Sequence, residues 1–221
     1  MKGKLIVIEG ACDGIGKTTQ YKLLKKYLED KEYNVCSHHF PTYNKKQGKL
    51  TEYYLNGDFG NPNDLSPYLV NSIYAVDRAI TWKDKLKDAY NKGNIILLDR
   101  YTTSSLIYQS ALFESENEKK SFIDYVTDYE YNKLGIKKPD KVIFLTADFD
   151  LVSSMRSKRE CNDGIKNDVY ERDNKLMKKI YDNAMFVSDY LGFDTVKCDL
   201  NGCLRSIEDI QNEIKNIIDN M

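Results

Sequence analysis

No feature restricts this chain more than Ala11-Cys12-Asp13-Gly14-Ile15-Gly16-Lys17-Thr18. It follows an apolar run from Lys4 to Glu9 and precedes Tyr21, Leu24, Tyr27 and Leu28 at helical spacing. Strand, glycine-bearing turn and helix in that order aim backbone N–H groups and the positive end of a helix at one point, which suits phosphate oxygens. A lysine in such a turn neutralises phosphate charge, and the hydroxyl after it suits Mg2+. The usual spacing is G-x-x-x-x-G-K-[ST]. Here Ala11 stands first and Gly10 one residue earlier, so the loop, residues 10–18, reads as carrying one extra residue. Cys12 reads as a loop filler, because no histidine partner is suggested nearby to make it a nucleophile.

The rest of the chain supplies the sheet that such a loop needs. Tyr33 to His39 reads as a second strand closed by Phe40-Pro41, Asn94 to Leu98 as a third ending at Asp99, Lys141 to Leu145 as a fourth and Asp194 to Cys198 as a weaker fifth. Residues 43–63 hold at most one short helix. Ser66-Pro67 opens a helix that runs toward Tyr90 and stops at Gly93. Helical patterning also marks 104–133, 168–191 and 206–219, the last with Ile207, Ile210, Ile214 and Ile217 on one face. Strands alternating with helices imply crossovers, hence one α/β domain over 1–221 with a five-stranded parallel sheet and helices on both faces. The charged stretch Arg156 to Asp173 reads as a surface segment, Trp82 as a packing anchor, and His38 and His39 as structural or surface residues at a strand end.

Composition removes several function classes. With 33 basic and 34 acidic residues the formal charge is -1, so no global field favours nucleic acid or a membrane surface, and phosphate affinity must be local. The longest apolar runs, such as Ile95 to Leu98, fall far short of the ~20 residues that span a bilayer. The 5 cysteines are odd in number and contain no CxxC, which argues against a disulfide framework and a zinc ribbon. The chain reads as cytoplasmic.

A second chemical signal lies at the end of the third strand, where Asp99 and Arg100 follow an apolar run. Beside a phosphate loop, a carboxylate there supports the metal, and an arginine can neutralise transferring phosphoryl oxygens. Ligands of open α/β sheets lie beyond the carboxyl ends of the strands, which brings both signals together.

These two motifs, with Phe40-Pro41, Tyr74-Ala-Val-Asp77-Arg78, Asp99-Arg100-Tyr101-Thr102, the run from Tyr131 to Asp140 and Arg205-Ser206-Ile207-Glu208, resemble the thymidylate kinases, in particular those of low-GC bacteria. The resemblance covers essentially the whole chain. It implies a P-loop nucleoside monophosphate kinase fold with a short lid at about 156–168, an acceptor-binding region at about 40–112, ATP and Mg2+, and transfer of a phosphoryl group to dTMP. It places the donor on Ala11, Cys12, Asp13, Gly14, Ile15, Gly16, Lys17, Thr18, Thr19 and Arg156, and Mg2+ on Thr18 and Asp99. Lys17, Arg100, Arg159 and Asp13 take the catalytic roles, Asp13 also reaching the acceptor's 3′-hydroxyl. Phe40, Pro41, Tyr74, Arg78, Arg100, Ser104, Ser105, Tyr108 and Tyr170 join Asp13 at the acceptor. Tyr74 stacks on the base, Arg78 addresses its O4, and Tyr108 crowds the 2′ position. No general base is required, because the attacking group is an anionic phosphate oxygen. The resemblance also implies a homodimer, with contacts around 68–82 and 103–112.

The chain departs from the pattern after Phe40-Pro41, where many relatives carry an arginine for the acceptor phosphate. Thr42 and Tyr43 stand there, leaving Lys45 or Arg100 to serve. The alternatives are a P-loop kinase for another deoxynucleotide or a nucleoside, a nucleotide-dependent switch, and a scaffold with a vestigial loop. A guanine switch expects N-K-x-D, and both Asn44-Lys45-Lys46-Gln47 and Asn132-Lys133-Leu134-Gly135 lack the aspartate.

Overall fold

The computed structural model describes residues 2–11, 14–154 and 168–221. Five strands, β1 (Lys4–Gly10), β2 (Val35–His39), β3 (Ile95–Asp99), β4 (Lys141–Thr146) and β5 (Asp194–Lys197), form one sheet in the order β2-β3-β1-β4-β5. Every pairing is parallel, with Ile8 opposite Asp99 and Gly10 opposite Leu145. The fold is therefore the expected one. Alternation within the central strands separates two cores: Ile6, Ile8, Ile95 and Leu97 face one, and Leu5, Val7, Ile96 and Leu98 face the other. Both faces of β1 and β3 are buried, as a parallel sheet covered by helices requires.

The first core is closed by α1 (Lys17–Asp30), α5 (Thr102–Tyr108), α6 (Glu116–Thr127), α7 (Asn174–Leu191) and α8 (Ile207–Asp219). The short helix α2 (Lys49–Asn56) and α3 (Pro67–Thr81) add Tyr54 and Val70 to it. The helix from Pro67 does not stop at Thr81. It passes through a π-helical segment, Trp82–Leu86, into α4 (Lys87–Asn91), and Trp82, Leu86 and Tyr90 seal the second core. Trp82 is a packing anchor, as expected.

Four expectations need correction. The helical stretch 104–133 is broken at Phe113, because Ser115 caps a new helix and Glu118 returns the bond in a capping box. The helix expected from 168 begins at Asn174. Of the segment expected at the surface, residues 156–167 lie outside the described residues; Arg172 and Asp173 are exposed, whereas Val169 and Tyr170 are 3% and 1% exposed and belong to the core. In α8 the buried stripe is Ile210, Ile214 and Ile218, with Ile217 partly buried against the core as expected, whereas Ile207, the first residue after the Ser206 cap, is exposed. After β5 comes a hairpin absent from the reading, β6 (Asp199–Leu200) and β7 (Cys203–Leu204). It turns on Asn201-Gly202 with φ of 52° and 75°, the pair favoured where both turn residues are left-handed.

His38, on β2, accepts at Nδ1 from the Lys85 ammonium at 3.3 Å, so the neutral ring donates from Nε2 to Thr42 Oγ1 at 2.9 Å. Burial, with Lys85 beside it, pushes the imidazole down to about 4. A histidine depressed in the folded state contributes stability above its unfolded value near 6.5, and loses it as pH falls toward 4, because only the unfolded chain takes up the proton. Urea unfolding of the wild type should therefore lose stability between pH 6.5 and 4.5, by at most about 3 kcal/mol. His38→Asn should flatten that window, and an unchanged slope would refute the assignment.

Candidate active site

The phosphate loop begins inside the sheet. Gly10 is the last residue of β1, and the Ala11 N–H continues the ladder to Leu145 O at 2.9 Å, so neither makes the tight turn. Among the described loop residues the left-handed positions are Gly14 and Gly16, at φ 97° and 85°. Gly16 is the N-cap of α1, and among the described residues no side chain caps that helix or places an acid in its first turn. Its first N–H groups are thus left for an anion. Ile15 is buried, and Thr18 and Thr19 are exposed in the first turn. Cys12, Asp13, Arg156 and Arg159 lie outside the described residues.

Lys17 folds inward to hydrogen-bond Asp99 Oδ1, and His39 Nδ1 lies 3.0 Å from Asp99 Oδ2. Burial alone would raise the Asp99 carboxyl. The bond from His39 and the Lys17 ammonium outweigh it and hold the group well below the usual carboxylate range. His39 is thus part of the site, although its position at a strand end carried no chemical signal.

Arg100 follows Asp99 in the left-handed region, φ 64°, which is uncommon for a residue with a Cβ. Its Nη1 reaches Glu9 Oε1 at 3.2 Å, and its guanidinium lies over the Tyr108 ring at 5.6 Å. Glu9 is completely buried. Its two oxygens also accept from the Gly10 N–H (3.0 Å), Thr103 Oγ1 (2.8 Å) and Ser104 Oγ (2.5 Å). The sequence signal for Glu9 was a carboxylate ending an apolar strand.

A cleft adjoins this cluster. Every acceptor residue expected from the sequence and described here borders it: Phe40, Pro41, Tyr74, Arg78, Arg100, Ser104, Ser105, Tyr108 and Tyr170. Tyr43, Leu55, Tyr101, Gln109 and Asp168 complete the lining. Of the two cations left open as substitutes after Phe40-Pro41, Arg100 borders the cleft and Lys45 is not among its residues. Thr42 is structural, its N–H donating to Asp77 Oδ2 at 2.7 Å. Tyr170 accepts from Tyr54 Oη and Gln109 Nε2 at 2.7 and 2.8 Å, and burial lifts the Tyr74 and Tyr170 phenols well above their ordinary value. Gln109 Oε1 is buried without a hydrogen-bond partner among the described residues. Arg78 is 2% exposed rather than free on a helix face, and it is paired with Glu130, which the sequence reading did not single out.

The sequence pattern described as "Thymidylate kinase" matches residues 8–200. This chain belongs to the thymidylate kinase family. It is accordingly a nucleoside monophosphate kinase that phosphorylates dTMP. It is 34% identical over 162 residues to the thymidylate kinase of Thermoanaerobacter sp., covering 73% of this chain and 74% of that one. To the thymidylate kinase of Exiguobacterium sibiricum it is 26% identical over 215 residues, covering 97% and 93%. Among solved structures it is similar to the thymidylate kinase from Candida albicans, with a TM-score of 0.74 and 24% identity over 99% of this chain and 92% of that one, a likeness of fold.

For a kinase of this family the Lys17–Asp99 contact has a testable meaning. If Lys17 acts on phosphate as the sequence implies, Lys17→Ala should lower kcat more than tenfold while leaving the far-ultraviolet circular dichroism unchanged, because its ammonium is bonded to Asp99 rather than packed in the apolar core. Retention of over a tenth of wild-type kcat would contradict this.

Proposed function

We propose that the enzyme takes its phosphoryl group from Mg-ATP at the loop 10–18 and delivers it to dTMP bound in the adjoining cleft. The observation that carries this reading is the cleft lining, which joins Arg100, next to the Lys17–Asp99 pair, to an aromatic box with Arg78 and Gln109. The uncapped start of α1, the buried Lys17, the exposed Thr18 and the Asp99 carboxylate fit a nucleotide and a hard cation. Thr18 and Asp99 would hold Mg2+, whose charge screens the donor phosphates when bound. Lys17 and Arg100 neutralise phosphate oxygens, so catalysis reduces to positioning and charge compensation. Asp13, Arg156 and Arg159 keep the roles that the resemblance implies, on one domain with the acceptor region at 40–112 and the lid at 156–168. The enzyme acts in the cytoplasm.

Selection follows from donors and acceptors. Tyr74 borders the cleft as an aromatic wall, and stacking is worth ~1 to 3 kcal/mol for any base, so it supplies affinity without choice. The unpartnered Oε1 of Gln109 suits the N3–H of thymine, and an Arg78 donor suits O4. Cytosine presents the reverse pattern at both atoms. An ADP-release assay across the monophosphates should give dTMP first, dUMP second, and dCMP and UMP far behind, with Tyr108 disfavouring ribose. Equal efficiency on dCMP, dGMP or UMP would overturn the acceptor assignment and leave the phosphate-loop kinase standing.

The proposed homodimer uses α3 alone of the two expected surfaces. Residues 103–112 are largely buried in the chain's own core, whereas Leu69, Val76 and Ile80 stand 52%, 43% and 38% exposed along α3. Light scattering should give a dimer at micromolar concentration, and Val76→Glu should shift it toward monomer. A monomeric wild type would refute the proposal.

A further inference from the structure

Glu130 belongs to no part of the phosphate machinery, yet it is a fully buried carboxylate. It stands in a π-helical segment, Asp128–Lys133, which continues α6. Its Oε2 accepts from Arg78 Nε at 2.7 Å and its Oε1 from Nη2 at 2.6 Å, a fork-on-fork pairing that fixes the guanidinium plane. Nη2 also reaches Ser105 Oγ at 2.9 Å and Asn71 Oδ1 at 3.3 Å. Nη1, with two hydrogens, meets a single acceptor among the described residues, the Tyr101 carbonyl at 3.4 Å. Nη1 is therefore the guanidinium nitrogen with a hydrogen to spare, on a residue that borders the cleft.

The backbone that carries this side chain is itself tied down. The Ile136 N–H donates to the Glu130 main-chain carbonyl at 3.1 Å and the Leu134 N–H to the Tyr129 carbonyl at 2.8 Å. The next side chain, Tyr131, bonds Thr102 Oγ1 at 2.5 Å. A π-turn places one extra residue in a helix and often marks a functional site. Here it brings an acid to face α3, where a regular helix would continue its surface pattern.

We propose that Glu130 is the positioning residue for acceptor-base selection: by occupying Nε and Nη2 it turns Nη1 of Arg78 to the base edge that carries O4. This rests on reading the cleft as the dTMP site. A base bearing an amino group at that edge brings a donor against this fixed donor.

Steady-state kinetics on Glu130→Leu, Glu130→Asp, Arg78→Met and the double variant Arg78→Met/Glu130→Leu test the assignment. The double variant replaces a buried ion pair by apolar chains, a change such sites tolerate, and circular dichroism confirms folding. Glu130→Leu should raise KM for dTMP about tenfold with kcat within about threefold, and should lower the dTMP-over-dCMP preference about tenfold. In the Arg78→Met background the same substitution should change KM less than about twofold. Glu130→Asp, which keeps the charge but retracts it by one methylene, should show the same KM-selective loss to a smaller degree. Should Glu130→Leu alone not fold, Glu130→Asp and the comparison of the double variant with Arg78→Met decide the matter. Equal KM increases in both backgrounds, or an unchanged dTMP-over-dCMP ratio in Glu130→Asp and Glu130→Leu, would overturn the proposal. A wild type without dTMP turnover would overturn the cleft assignment and this proposal with it, a result distinct from an active wild type whose selectivity ignores Glu130.

Discussion

The site is organised around one buried carboxylate. Glu9 sits where β1 gives way to the phosphate loop, and its two oxygens collect a loop N–H, the Arg100 guanidinium and two hydroxyls from α5. A carboxylate without those donors could not stay at that depth, and the donors would not converge without it. Strand end, loop, strand β3 and helix α5 are thereby set against one another before any ligand arrives. Only then does the left-handed backbone of Arg100 make sense: the residue is bent out of its preferred region so that its side chain can reach Glu9 and lie over Tyr108.

The same logic recurs at Arg78. Each cleft arginine has its own buried glutamate, Arg100 with Glu9 and Arg78 with Glu130, while Lys17 has Asp99. Charge is balanced locally, in keeping with a chain whose formal total is only -1. Desolvated cations without such partners would be costly, and paired ones keep fixed geometry while retaining single donors for a ligand.

What the sequence disclosed follows from this arrangement. Strands β1, β3 and β4 are apolar runs buried on both faces, so their existence was plain from local pattern. The lysine, threonine, aspartate and arginine at their ends were marked by position. The break at Ser115 was also present in the chain as a serine three residues before Glu118, and the helical spacing around it obscured that signal. Tyr170 was named as an acceptor residue only by resemblance, because its neighbours are charged; burial there is decided by Tyr54 and Gln109, which lie far away in sequence. Glu130 and His39 were illegible for a related reason. An acid in a polar helix and a histidine at a strand end acquire their roles only from partners 52 and 60 residues distant, Arg78 and Asp99.

The hinge of the phosphate loop has a stereochemical consequence. Gly16 holds φ 85°, and beyond its chain neighbours no atom of the described residues lies within 4 Å of the place where a Cβ would stand. What excludes other coded residues there is handedness, since the room exists. A residue of D configuration has its comfortable backbone region where an L residue is strained, and its side chain would extend into open space. Among coded amino acids glycine adopts the conformation with least strain, so its place in the loop reflects the chirality of the genetic alphabet more than any need for smallness.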